Sequence, residues 1–496
     1  MIADYHFHPS FKAFLSDIEP AKKAGSWKPI HFLISRLWKK QNRILDSQCC
    51  FEQVKAGGVS LAVIPLYSLE KAFTASFLLQ LVAMFSPHAD LHLFTAIRKG
   101  KLTYYTQLQQ SLEHLLKSRD EADPQGYLNF LTTPQPPSGM LDIFLSVEGG
   151  HCFVEEPGEI NSPQGIRDIC KRLEDLKRKD QPTRLLHLNL THLTQYVFCN
   201  HAFGMKIINQ EDFKPVGNGI TPLGYALIDT ALSTTGSEGP VHRIFIDIKH
   251  MSLKSRQQYY AHIKAHHSGD YRNGKLPIIA SHVGVTGFSW SKVDDYIIDI
   301  QHSLQNKGEC VYVDYRLPQG KGGACFNPWS INLYDEDIVE VLLSGGLIGL
   351  SLDQRILGCG GVAKEKMSLA EFKTQVKIRT TQLFDDNEPH IRQDSVRHFR
   401  ALCNNICHII QVSRSIQSFH PIDAWKHICI ASDFDGLIDP IDGCCEASQM
   451  YLLRDALRTH LPTMIADYGL SLGDVDAKIN GIVYKNAYTF ITNKYS

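Results

Sequence analysis

Eight short apolar runs rich in β-branched residues recur along the chain, and stretches with helical periodicity separate most of them. The runs are Met1–His8, Val59–Ser68, Ile143–Glu148, Leu185–His192, Ile244–His250, Pro277–His282, Leu347–Asp353 and Ile428–Asp433. Amphipathic stretches such as FEQVKAGG, GIRDICKRLEDLKRK and DEDIVEVLLSGG precede the second, fourth and seventh. Strand alternating with helix specifies a parallel sheet, because neighbouring parallel strands need a crossover and a helix supplies it. Eight such units are the number that closes a (β/α)8 TIM barrel. At 496 residues the chain exceeds a bare barrel, and the excess falls into three insertions, at about residues 69–140, 283–340 and 354–425. No linker rich in Gly, Pro or Ser marks a second domain, so residues 1–496 read as one decorated α/β barrel, with VYVDYRLPQ an added hairpin strand in the second insertion.

Seven of the eight runs carry a ligand-type residue at or near their C-terminal end: His6 and His8, Glu148, His192, His250, His282, Asp353 and Asp433; the second ends in Ser68 and Glu70 instead. Barrel active sites form where strand C-termini converge on one rim, so residues far apart in sequence become neighbours. In an extended strand residues two apart share a face, which puts the imidazoles of His6 and His8 together. With 23 histidines, chance alone yields about one HxH, so the position of this pair is more telling than its spacing. A carboxylate closing an apolar run, as Glu148 does, is costly unless paired or metal-bound. Each of these residues alone has a plainer reading, as a satisfied core histidine or half of an ion pair. On one rim, however, His6, His8, Glu148, His250 and His282 form a five-ligand set of the kind that holds two divalent metals, with zinc the expected ion and Mn, Fe or Co acceptable to the same donors. Asp433 is placed to take a proton from an activated water, and Asp435 competes for that role. A calcium loop is excluded there, because Leu437 and Ile438 occupy the positions of a ligand and an obligatory glycine. His192 suits a donor to a substrate oxygen.

Fifty-one basic against 52 acidic residues leave a net charge of -1, which gives no general attraction to nucleic acid or an anionic membrane. No apolar run is long enough to span a bilayer, and neither a leader nor a lipidation signal is evident. A small, locally recognised substrate in a cytoplasmic protein is expected, and a homodimer is compatible with it. The thirteen cysteines, including the vicinal pairs Cys49–Cys50 and Cys444–Cys445, read as reduced thiols. PVGNGITPLG lacks the lysine of a phosphate loop, and its Thr221–Pro222 reads as a helix N-cap and first turn.

The segments DYHFH, SVEGGH, LTH, GITPLG, FIDIKHMS, ASH and SDFDG, in this order between residue 4 and about residue 436, resemble the membrane dipeptidase (renal dipeptidase, peptidase family M19) family of the amidohydrolase superfamily. The resemblance implies a barrel with two zinc ions, in which His6, Glu148, His250 and His282 match metal ligands and Glu148 matches the carboxylate bridging both ions. His192 matches the substrate-binding histidine, and Asp433 the acid that handles the proton. The implied activity is hydrolysis of a dipeptide or dipeptide-like amide by a hydroxide held between two metals. Two departures stand out. His8 occupies the place of the family's aspartate, and no arginine follows ASH to grip the substrate's carboxylate, leaving Arg316 or Arg355 to reach in from elsewhere. Both departures keep open hydrolysis of another amide, a lactone or a phosphoester, and a noncatalytic barrel is a further alternative.

Overall fold

The computed structural model describes residues 1–16, 25–31, 44, 46–75, 90–120, 123, 125–194, 197–204, 210–305, 308–359, 364–376 and 395–495. Parts of the first and third insertions, residues 76–89 and 377–394 among them, lie outside these. Among the described residues, each of the eight apolar runs contributes one strand to a single parallel sheet. These are β1 (Ile2–Asp4), β2 (Val59–Leu66), β3 (Leu141–Glu148), β4 (Leu185–Asn189), β5 (Phe245–Asp247), β6 (Ile279–Val283), β7 (Leu347–Leu350) and β8 (Ile428–Ile430). Their spatial order follows the chain, with register pairs such as Leu61 with Asp142, Glu148 with Asn189, Asp247 with Ile279 and Leu350 with Ile430. The sheet closes on itself where Tyr5 N donates to Ile430 O at 2.9 Å. All eight residues of β3 are buried, as expected of a strand covered on both faces.

Each strand is followed by a principal covering helix, with shorter helices beside some of them: α1 (Phe51–Ala56), α2 (Tyr104–Asp120), α3 (Pro163–Leu176), α4 (Pro222–Leu232), α5 (Leu253–His266), α6 (Asp335–Leu343), α7 (Ser395–Ser413) and α8 (Leu453–Asp467). Their starts are legible in the sequence. Ser162, Thr221 and Ser252 each accept a backbone N–H in the first turn of α3, α4 and α5, and the first two are followed by proline, whose missing N–H costs nothing there. The second and third insertions build a three-stranded antiparallel sheet from Ile297–Gln305, Gly308–Tyr315 and Glu365–Ser368. Val311, Val313, Met367, Phe372 and Trp329 close its own small core, so the expected hairpin strand at VYVDY is present and gains a third partner. All thirteen cysteines are free thiols. No helix among the described residues is long and apolar enough to cross a membrane.

The strands are shorter than the sequence runs suggest. His192, His250, Asp353 and Asp433 were expected within strands, but each falls three residues beyond the last residue of β4, β5, β7 and β8. Likewise His6 and His8 lie past the end of β1, so strand alternation is not what sets them side by side. The backbone must leave the ladder for a side chain to turn over the rim, and at His250 (φ 68°) and Asp433 (φ 64°) it does so in the left-handed region, which residues with a Cβ seldom adopt.

Candidate active site

The coils leaving the strands carry the expected residues to one place. Asp433 N donates to His6 O at 2.8 Å and His8 N to Phe434 O at 2.9 Å, which ties the two chain ends across the barrel seam. Gly436 has no room for a side chain, since a Cβ there would stand 2.0 Å from Asp433 Oδ1. Ser281 Oγ, 2.8 Å from His282 Nδ1, fixes the ring of His282. His6 and His282 stack with centroids 3.9 Å apart.

Glu148 is the centre of the arrangement. Its Oε1 lies 3.1 Å from His250 Nε2, 3.4 Å from His282 Nε2 and 3.6 Å from both His6 Nε2 and His192 Nε2, while its Oε2 lies 3.3 Å from His8 Nε2. Two compact ligand groups share it, His6–His8–Glu148 and Glu148–His250–His282. Asp433 Oδ1 stands on the other side, 3.6 Å from His8 Nε2 and 4.0 Å from His6 Nε2. Thus His6, His8, Glu148, His192, His250, His282 and Asp433 are brought together. Asp435 is not. It is turned away to Lys12 Nζ (2.5 Å) and the backbone N–H groups of Gln48 (2.8 Å) and Cys49 (3.3 Å), which removes it as a competitor for the catalytic role.

The electrostatics suit a cation. Burial works to raise the Glu148 carboxyl, but His192, His6 and His250 more than offset it and hold it well below the usual carboxylate range. Burial, then His192 for one and His6 for the other, pushes His250 and His282 well below the ordinary imidazole value. The two rings face each other through Nε2 atoms 3.0 Å apart, close enough for one cation to accept from both nitrogens. Both ring nitrogens of His6 and of His8 are buried without a hydrogen bond among the described residues. Orphaned imidazole nitrogens around an ionised carboxylate are the donor set that divalent zinc-type ions take, so these residues fit such a group.

Sequence reasoning left several neighbours without a role. Glu70 Oε1 lies 2.9 Å from His192 Nδ1, and Tyr67 OH donates to Glu70 Oε2. This fixes the His192 ring with Nε2 towards Glu148; the only sequence signal was the carboxylate just beyond the second run. Lys249, inside FIDIKH, is buried in the cavity wall, and burial draws its ammonium down to about 8 although Asp433 and Asp353 oppose this. Asp353 holds Arg355 through Nε (3.0 Å) and Nη2 (2.5 Å), and Arg355 lines the same cavity. Arg316, the other arginine considered, donates to Asp295 O and is absent from that lining. Phe11, Tyr67, Phe73, Leu193 and Ile331 give the cavity an apolar wall.

The fold is thus a (β/α)8 barrel with histidines and carboxylates gathered on its C-terminal rim. Two solved structures share it over nearly the whole chain. The dipeptidase AC, a metallopeptidase of family M19, is 13% identical over 100% of this chain and 98% of its own, with a TM-score of 0.53. A metallopeptidase from Rhodobacter sphaeroides, solved with a phosphinate mimic of the dipeptide L-Ala-D-Ala, is 13% identical over 99% and 98%, with a TM-score of 0.51. No protein-family model and no curated protein matches the sequence.

Proposed function

We propose that the protein is a metal-dependent hydrolase that cleaves dipeptides or dipeptide-like amides, and that the whole chain serves as one catalytic barrel. The observation carrying this reading is Glu148 shared between two trios of buried ligands. The donors are imidazole and carboxylate, so zinc is the first choice of ion and two per chain the expected number. Such ions, when bound, polarise the scissile carbonyl and acidify the attacking water. His6, His8, Glu148, His250 and His282 would hold them. The fold shared with a peptidase solved with a dipeptide mimic supports an amide of that size as substrate.

The chain's own residues supply the rest. Asp433 faces the same volume as His6 and His8, and burial raises its carboxyl despite the His8 contact. It would take the proton of the attacking water and pass it to the leaving amine. His192, oriented by Glu70, would donate from Nε2 to the carbonyl oxygen as charge develops there. Arg355 and Lys249 give the cavity a cationic side on which a free carboxylate can dock, and Arg355, about one-third exposed, can reach it without breaking its pair with Asp353.

The deciding experiment is metal analysis of wild-type protein and His250→Ala, with hydrolysis of an L,L and L,D dipeptide panel on the same samples. After dialysis against a weak chelator, about two tightly held ions per chain and dipeptide cleavage, both lost in the variant, are expected. Metal without cleavage of any dipeptide, but with turnover of a lactone or phosphoester, would replace amide hydrolysis by the other chemistry. No metal in protein supplied with zinc would overturn the reading.

A further inference from the structure

A second cluster of metal-type ligands lies outside the barrel, on two of its covering helices. Asp229 is in the last turn of α4, His262 is near the end of α5, and His267 is the residue that ends α5. At His267 (φ -124°, ψ 29°) the backbone leaves the helix, and its ring comes back beside that of His262. The Nε2 atoms of His262 and His267 lie 2.7 and 3.0 Å from one oxygen, Asp229 Oδ1. The three ligand atoms lie within 4.8 Å of one another.

We infer that Asp229, His262 and His267 form a third cation site, separate from the rim, for a borderline divalent ion of the zinc, copper or nickel class. Imidazole and carboxylate bonds to such ions are about 2.0–2.2 Å long, which sets neighbouring ligand atoms roughly 2.9–3.4 Å apart. The observed spacings of 2.7 and 3.0 Å lie at or just below the short end of that range and of the 3.0–3.6 Å separations within the rim cluster, so the three ligands would spread slightly on taking an ion. Two imidazoles in three donors exclude a calcium or magnesium preference. Accessibility is graded, with the His262 side chain 10% exposed, His267 24% and Asp229 51%, so the ion would be held from the protein side and complete its shell with water.

Two further features point the same way. The ring of Tyr225, centroid 4.8 Å away, and that of His266, 4.7 Å away, hold His262 in place before any ion arrives. Both helices present their C-terminal turns to the cluster, where backbone carbonyls carry partial negative charge that favours a cation. Helix C-termini lead into strand N-termini, so the site lies towards the end of the barrel opposite the catalytic rim. An ion there would clip α4 to α5, the helices on either side of β5 in the chain.

Calorimetric titration of zinc into chelator-stripped, full-length His250→Ala protein, with and without His267→Ala added, isolates the site. One equivalent is expected in the single variant, weakened about tenfold or more when His267 is also replaced. In wild-type protein His267→Ala alone should remove one ion from the total and leave hydrolysis unchanged, a pair of measurements that needs no rim variant to fold. Copper loaded at one equivalent into stripped His250→Ala should show two-nitrogen coupling in its electron paramagnetic resonance spectrum that changes when His267→Ala is added, whereas copper held by His6 and His8 would give a spectrum indifferent to His267. Identical zinc stoichiometry and affinity with and without His267 would overturn the inference and leave the trio as a hydrogen-bonded ion pair.

Discussion

Two regions of the molecule set imidazoles around a single carboxylate oxygen, and their surroundings differ. At the rim, Glu148 Oε1 has nitrogens of His6, His192, His250 and His282 within 3.6 Å, and these side chains are at most 11% exposed. On the outer surface Asp229 Oδ1 has two such neighbours and is half exposed. Water can solvate the surface trio and make up any missing hydrogen bond, so that cluster is stable with or without an ion. At the rim an ionised carboxylate and orphaned imidazoles are buried together, and neighbouring histidines or a bound cation must offset the cost. The same donors therefore predict tighter binding in one place and more readily exchanged binding in the other. Dialysis against a weak chelator should empty the surface site first and leave hydrolysis intact; loss of activity in step with the first ion removed would reverse the assignment.

The largest effect is expected at the shared carboxylate. Glu148→Gln keeps the shape and removes the charge, and activity should fall to background with rim metal lost, whereas Asp229→Asn should leave turnover alone. Next comes Asp433→Asn, which should lower kcat by about 10²–10⁴ with metal content unchanged, as for a lost general acid or base. Unchanged kcat would remove Asp433 from the proton path. Arg355→Met should raise KM for a dipeptide by about 10–100-fold, the worth of a hydrogen bond to a charged group, with little change in kcat. A dipeptide amide, lacking the carboxylate, should not distinguish this variant from wild type. Glu70→Gln should cost about tenfold in kcat/KM by loosening His192, with no change in metal stoichiometry.

The barrel was legible in the sequence because a parallel strand buried on both faces writes itself as a continuous apolar run, and each of the eight runs became one strand. The site residues were legible for a related reason. A His or Asp at the end of such a run pays for its burial only with a partner. The exact strand ends were not, because the turns at His250 and Asp433 adopt left-handed backbone that tertiary contacts impose and no local signal specifies. Glu70 and Lys249 were passed over for the opposite reason: a single charge beside an apolar run has many innocent explanations, and only the fold shows that Glu70 meets His192, 122 residues away. The surface trio joins Asp229 to histidines 33 and 38 residues further on, and no sequence period connects them.

A third kind of imidazole sharpens the contrast with the smallest effect. His114, on α2, is buried without a carboxylate partner among the described residues; its Nε2 lies 3.0 Å from Ser26 Oγ. Burial first, and Lys117 second, draw it down from 6.5 to about 4. A neutral ring in the fold and a basic one in the unfolded chain mean that the unfolded state takes up the proton first as pH falls. Stability from this group is therefore fully present above pH 6.5, declines as pH drops towards about 4, and declines no further once both states are protonated. At about 1.4 kcal/mol per unit the loss is of order 3 kcal/mol, an upper bound because the ring is not wholly enclosed. His114→Gln, which can keep a hydrogen bond to Ser26 and cannot titrate, should show a smaller fall in its urea midpoint between pH 7 and pH 4.5 than the wild type. Equal falls in the two proteins would mean that the acid sensitivity resides in other buried histidines, and that a single hydroxyl serves His114 as well as a carboxylate serves those at the rim.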